Sequence, residues 1–255
     1  MCGRYTLYAK PRKLAGLFNL LAPPAVLPRY NIAPTQSVLA IRIASDARGL
    51  SAGREAVLLR WGLLTSVSQH TASPLINARS ETAHEKPSFR NALRLRRCLI
   101  PADGYYEWQA VDRRKQPYLI RRIDQQTLAF AALWEPALHD STPSRDAGNH
   151  NPAEPTPATP APTGSCVILT TRASAALSRF HDRMPVILEP DRWDQWLDPA
   201  TPAEEVQALL VPARDELLTA YPVSSSVNRV AYDGVDCLAP VPAVKPTPTL
   251  FDHET

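Results

Sequence analysis

The chain has 255 residues, 44% hydrophobic and 21% charged, with 28 Lys and Arg against 25 Asp and Glu for a formal charge of +3. That is the composition of a soluble globular protein long enough to bury a substantial core, and its mildly basic balance allows a nucleic-acid partner without requiring one. No run approaches the roughly 20 apolar residues that cross a bilayer, and Lys10, Arg12 and Lys13 interrupt any secretory signal, so no membrane partner and a cytoplasmic location are expected.

In chain order, Arg4 to Tyr8 alternates like a short strand. Pro11 to Leu20 reads as a helix opened by proline in its first turn. Residues 22 to 36, ending in Arg29-Tyr30-Asn31-Ile32-Ala33-Pro34-Thr35, are too punctuated for regular structure and are expected to form an ordered loop. Short β-like runs follow at Val38–Ile43, Ala56–Trp61, Cys98–Ile100, Tyr105–Trp108, Tyr118–Ile123, Leu128–Trp134, Cys166–Thr170 and Pro185–Leu188. Helical periodicity is clearest at Ser88–Arg97, Ala173–Phe180, Pro190–Leu197 and Ala203–Leu210. Few long helices separate the strands, so the expected fold is α+β: a single domain with a mainly antiparallel curled sheet or barrel-like core and flanking helices. The domain spans residues 2–240, interrupted by a proline-rich insertion at about 140–164, expected to be disordered, and followed by a flexible tail at 241–255.

The four cysteines, Cys2, Cys98, Cys166 and Cys237, are widely scattered and show no metal-ligand spacing, so neither a zinc site nor a disulfide framework is expected, and the function read below calls for no metal or organic cofactor. Three of them sit in apolar runs and are expected to be buried small hydrophobes. Cys2, flanked by Gly3 and Arg4, is the exception. If Met1 is removed, Cys2 carries a free α-amine, whose ordinary pKa is about 7.7–8.0, and a thiol on the adjacent carbon. Such a pair can condense with an aldehyde to an imine and then close a five-membered thiazolidine ring.

Three further polar residues stand in contexts that suggest fixed backbone: Asn77 after an apolar run, Glu107 in the aromatic-bracketed Tyr105-Tyr106-Glu107-Trp108, and His181 before Asp182-Arg183-Met184-Pro185. Each also has a plainer explanation, as turn former, solvent face of an edge strand and helix-terminal cation. Spacing does not show that they meet. Arg90, Arg94, Arg96 and Arg97 share one segment that could position a nucleic-acid backbone. Arg113, Arg114 and Lys115 read as a solvated turn.

The ordered motifs Met1-Cys2-Gly3-Arg4-Tyr5, Tyr30-Asn31-Ile32-Ala33-Pro34-Thr35, Trp61-Gly62-Leu63, Asn77-Ala78-Arg79-Ser80-Glu81-Thr82, Lys86-Pro87-Ser88-Phe89-Arg90, the run from Arg97 to Trp108, and His181-Asp182-Arg183-Met184-Pro185-Val186 together resemble the SRAP family. These are the SOS response-associated peptidases, understood as abasic-site sensors. The resemblance implies single-stranded DNA containing abasic sites as partner, and a stable thiazolidine crosslink between the terminal cysteine and the ring-opened sugar aldehyde. On it, Cys2 is the nucleophile through amine and thiol, Asn77 holds the linked sugar, Glu107 orients and deprotonates the amine, and His181 shuttles a proton in ring opening and reversal. Arg4, Asn31, Pro34, Arg79, Arg90 and Arg183 fall at positions expected to contact DNA. A monomer, associated with the nucleoid when bound, is expected.

The chain departs from the family where Trp61-Gly62-Leu63 continues as Leu64-Thr65-Ser66-Val67, without the usual proline and nearby tryptophan. Stacking on an aromatic contributes about 1–3 kcal/mol per base, so single-strand affinity should be weaker than is usual in the family. Val67→Trp should raise the affinity for an intact strand, and an unchanged affinity would refute this. The tail segment Thr247-Pro248-Thr249-Leu250-Phe251 ends like short motifs that dock sliding clamps, yet lacks their leading glutamine. Two other readings stay open: a thiol peptidase with Cys2 as nucleophile and His181 as base, and a non-catalytic single-strand binder.

Overall fold

The computed structural model describes residues 2–45, 51–64, 74–112, 114–137 and 161–244. Its strands are β1 (Tyr5–Leu7), β2 (Arg29–Ile32), β3 (Ser37–Ser45), β4 (Ser51–Trp61), β5 (Asn77–Arg79), β6 (Arg97–Ala102), β7 (Gly104–Val111), β8 (Arg114–Arg122), β9 (Leu128–Pro136), β10 (Gly164–Arg172), β11 (Arg183–Pro185) and β12 (Leu218–Pro222). Its α-helices are α1 (Pro11–Phe18), α2 (Pro87–Leu95), α3 (Trp193–Leu197) and α4 (Ala203–Ala208).

The strands form two sheets. One is antiparallel, in the order β12-β8-β7-β1-β2. In the other, β3 pairs with β4 and β6, β6 with β9, and β9 with β10. Strand β10 then meets β4 in parallel, Ser165 beside Arg60 and Cys166 beside Trp61, which closes those five strands into a ring. Closure removes the free edges that an open sheet would expose, and the curled sheets with flanking helices are the architecture expected of this sequence. Past residue 166 the same side of β10 takes β5, with Ile168 beside Asn77, and its end takes β11, with Arg172 opposite Arg183.

Continuous apolar runs make this closure possible, because both faces of β9 are covered: Leu128 to Leu133 are all buried. At the junction of the sheets, Tyr5 meets Trp61 and Phe130 edge-on at 5.4 and 6.0 Å. Gly62, at φ +135°, ends β4 in a conformation that L side chains avoid, and its N–H donates to Cys166 O at 2.9 Å. Strand β7 is also buried on both faces. Tyr105 joins the main core, whereas Tyr106 packs into a second cluster with Leu119, Val223, Val227 and Cys237, so the segment after β12 covers the outside of the first sheet.

Several elements differ from the sequence reading. The expected loop at 22–36 contains β2, held against β1. Ala173–Phe180 makes successive turns instead of a helix, and Ser178 Oγ bonds back to Ala175 O, the local competition that disfavours serine in helices. Strand β11 starts at Arg183, two residues before the apolar run suggested. Arg97 leaves the helix and opens β6. Its guanidinium is buried and donates to the carbonyls of Leu93, Arg94, Trp196 and Asp198, so it is a structural residue and not a phosphate contact. Thr65 to Val67, almost all of the proline-rich insertion, and the tail motif at 247–251 lie outside the described residues. Ala137 N–H still bonds Thr163 O at 3.2 Å, placing the insertion in the connection between paired β9 and β10.

Candidate active site at the amino terminus

Cys2 is buried, with none of its surface exposed. It shares this state with Cys98, Cys166 and Cys237, all free thiols, so the expected contrast between Cys2 and the other three does not hold. A chain end frays unless it is tied down, and here the ties are explicit. Tyr5 pairs with Tyr105, Tyr106 N–H donates to Arg4 O at 2.9 Å, and Asp103 N–H donates to Thr6 O at 2.7 Å, so residues 4 to 6 run along β7. The Asp103 carboxylate fastens the exit from β1 by accepting from Tyr8 N–H, Ala9 N–H and Thr127 Oγ1 at 2.6–2.7 Å.

Asn77 reaches Cys2 from the other sheet. Its Nδ2 donates to Cys2 O at 2.8 Å, while its Oδ1 is buried without a hydrogen-bond partner. Strand β5 is too short to be stable alone and owes its position to β10, where Asn77 lies beside Ile168. It is a strand residue and not the turn former that its type suggests.

Glu107 follows Tyr105 by two residues, so it shares a face of β7 with it. That strand lies between β8 and β1, and Glu107 is only 5% exposed, which excludes the solvent face of an edge strand. Burial raises its carboxyl above the ordinary glutamate range, and the positive charge at the amino terminus opposes the rise. The Cys2 thiol is pushed up strongly, first by burial and then by the negative charge of Glu107. It therefore stays protonated at neutral pH.

His181 closes the turns before β11, where the chain swings back to the site. Its Nδ1 lies 2.9 Å from Arg183 N–H and 2.6 Å from Asp182 Oδ1. One nitrogen cannot accept and donate at once. The neutral ring accepts from Arg183, and the imidazolium donates to Asp182, so both charge states have a partner. Burial lowers the His181 pKa, with the amino-terminal charge next, so the same terminus acts on Cys2, Glu107 and His181. The structure thus gathers Cys2, Asn77, Glu107 and His181 around the chain start. Among the described residues no group of three or more His, Cys, Asp or Glu could hold a metal.

The residues proposed for DNA separate into kinds. Arg79, on β5, is exposed, as is Arg90, on α2. Arg90 faces a groove of about 790 Å³ with Arg94, Leu93 and Val206, and none of the four terminal-site residues lines it. Pro34 is half-buried in the turn before β3. Arg4 is half-buried and donates to Asn31 Oδ1 and Val227 O at 2.9 and 2.8 Å. Asn31 itself is fully buried, its Nδ2 shared among the carbonyls of Val227, Arg229 and Tyr232, so its side chain has no face for a strand and instead holds Arg4. Arg183 is 10% exposed and grips Glu81 through two bonds of 2.7 and 2.8 Å. Glu81 and Asp182 escaped sequence reasoning, although both lie inside the quoted motifs and Glu81 is the one carboxylate between Asn77 and Thr82.

The chain matches the family described as SOS response associated peptidase (SRAP) over residues 1–230. It is 37% identical to the abasic site processing protein YoqW of Bacillus subtilis (strain 168) over 235 residues, 89% of this chain and 94% of YoqW. It is 33% identical to the abasic site processing protein HMCES of Gallus gallus over 237 residues, 84% of this chain and 66% of HMCES. A crystal structure of a protein from Bacteroides thetaiotaomicron superposes with a TM-score of 0.70 at 24% identity, covering 89% of this chain and 95% of that one, and shows the same fold.

Proposed function

This chain belongs to the SRAP family, and on that premise we propose that it binds single-stranded DNA and captures abasic sites as a thiazolidine on Cys2. The observation that carries the reading is the seating of Cys2: wholly buried, tethered by Asn77, and electrostatically coupled to Glu107. Removal of Met1 turns the Cys2 nitrogen into a primary amine. Glu107, as carboxylate, takes a proton from its ammonium form, and the neutral amine adds to C1 of the ring-opened sugar. The carbinolamine loses its hydroxyl as water, with a protonated Glu107 or His181 as the acid, and leaves an iminium. The Cys2 sulfur adds to that carbon, its proton passing to the reformed base, and the ring closes. The balance is one aldehyde and one aminothiol giving one thiazolidine and one water.

The order, amine first and thiol second, follows from the thiol's environment. Burial beside Glu107 opposes the thiolate, so sulfur is the poorer first nucleophile. The same burial counts against a thiol peptidase, which depends on an activated thiolate. A purely structural role gives no reason for the buried, unpartnered Asn77 Oδ1, which suits a hydroxyl of the linked sugar.

Intact mass decides the matter. Protein lacking Met1, incubated with a single-stranded oligonucleotide carrying one abasic site, should gain the mass of the oligonucleotide less water. Cys2→Ala should abolish the gain. A processed protein that never shifts would sink the crosslinking reading.

A further inference from the structure

The end of β10 carries a basic cluster that the terminal-site chemistry does not use. Arg172 and Arg183 lie directly opposite each other on β10 and β11, and Arg79 lies beside Thr170 on β5. Cross-strand partners project to one side, as do residues two apart on a strand, so Arg79, Thr170, Arg172 and Arg183 share one face. The contact of Arg183 Nη2 with Thr170 Oγ1 at 3.4 Å agrees with this arrangement.

Among the described residues, Glu81 is the only carboxylate bonded to any of the three arginines, and it is taken up by Arg183. Arg183 also donates to Thr170 O, and its side chain is 10% exposed. Its charge is therefore largely answered within the protein. Arg79 and Arg172 are both exposed, and among the described residues neither side chain makes a hydrogen bond or a salt bridge. The carboxyl of Glu81 is held below its ordinary range first by the Arg183 bond, and the charges of Arg183 and Arg172 add to this, placing Arg172 within electrostatic reach of the pair. Like charges directly opposite on neighbouring strands are destabilising. Arg172 stands opposite Arg183 with an exposed guanidinium that bonds no carboxylate among the described residues, and an external anion has access to it.

Resting on the single-strand binding proposed above, we propose that Arg172 is a phosphate-binding residue, forming with Arg79 a site for the DNA backbone beside the His181 corner. Arg183 serves chiefly to brace that corner through Glu81. The ligand is a phosphodiester, recognised by charge, and contacts to phosphate fix the strand's position without carrying base information.

The test is equilibrium binding of an intact, lesion-free single-stranded oligonucleotide of mixed sequence across a range of salt, together with thermal melting. Arg172→Ala should weaken binding equally for different base compositions. It should also flatten the slope of log affinity against log salt by about 0.7, the value for one phosphate contact on a single strand. Its Tm should stay close to that of the parent, since the exposed side chain loses repulsion from Arg183 and attraction to Glu81 together, and Arg172→Lys should keep the salt slope. An unchanged slope in Arg172→Ala would overturn the inference, as would lost affinity accompanied by a lower Tm that Lys does not restore. A parent protein with no measurable affinity for the strand would remove this inference and the proposed DNA binding together. A parent that binds the strand but never gains mass with abasic DNA would remove the crosslinking alone.

Discussion

Glu107→Gln should slow crosslink formation by about 10²–10⁴-fold, the usual cost of losing a positioned proton-transfer group, while leaving the protein at least as stable at neutral pH. Glu107 is interior, on the central strand of its sheet, and burial raises its carboxyl above the ordinary range. Below that raised pKa the group is protonated and cannot accept the ammonium proton. The parent rate should therefore climb as pH rises through the window just above the ordinary glutamate value of about 4.3. The Gln variant should lose this limb and keep only the one set by the amine. Stability runs the other way. Within the same window the folded state holds the Glu107 proton more tightly than the unfolded chain does, so its contribution is present at low pH and lost as pH rises through the folded pKa. Glutamine carries no such penalty, so the Tm difference in favour of Glu107→Gln should grow between acid and neutral pH. Timed mass shifts across pH, with parallel melting curves, measure both effects. A variant rate within a factor of a few of the parent would leave Glu107 without the role proposed for it.

Arg97→Ala should destabilise the fold by about 3 kcal/mol or more, since each buried acceptor left unpaired costs about 1–3 kcal/mol. The Arg97 guanidinium ties the last turn of α2 to the end of α3 at the start of β6, satisfying four backbone carbonyls. Truncation strands those carbonyls in a site with little access to water. Arg97→Lys should recover only part of the loss, because an ammonium cannot span the planar fan of acceptors. Urea unfolding measures the loss, and the salt slope of DNA binding should not move in variants that remain folded. A stable Arg97→Ala protein with a flattened slope would return Arg97 to the phosphate contacts.

Arg97 also shows where the sequence stops being legible. It sits among Arg90, Arg94 and Arg96 with nothing local to distinguish it. What separates it is α3, folded against β6 from a hundred residues away, with Trp196 Nε1 on Cys98 O at 2.9 Å. The strands of the ring were readable because each contains an apolar run, buried from Cys98 to Ile100, from Leu128 to Leu133 and from Cys166 to Leu169, and the helix at Pro11 announces itself by proline at the first turn, the others by their apolar period. The three-residue β5 and the proline-ended β12 carry too few residues for any period to show. Asn77, Glu107 and His181 stood out by local context, and their roles came through resemblance to a family. Their meeting depends on a parallel β5–β10 contact and on β7 lying inside its sheet, and no spacing in the chain encodes either. The burial of Cys2 was equally invisible, since its neighbours Gly3 and Arg4 read as a solvent-exposed end.

If Met1 is removed as proposed, that burial sets a clock on its removal. Cys2 is enclosed by β7 at residues 104–111 and by Asn77 of β5, which in turn needs β10 at residues 164–172. None of this enclosure is complete until β10 has left the ribosome, and at about 5–20 residues per second the amino terminus spends on the order of ten seconds or more in the open. An aminopeptidase from solution has that interval to act on the Met1–Cys2 bond, whereas self-cleavage must wait until the interval has ended. Chains arrested before β10 and chains released complete should therefore differ in which of the two routes can still remove Met1.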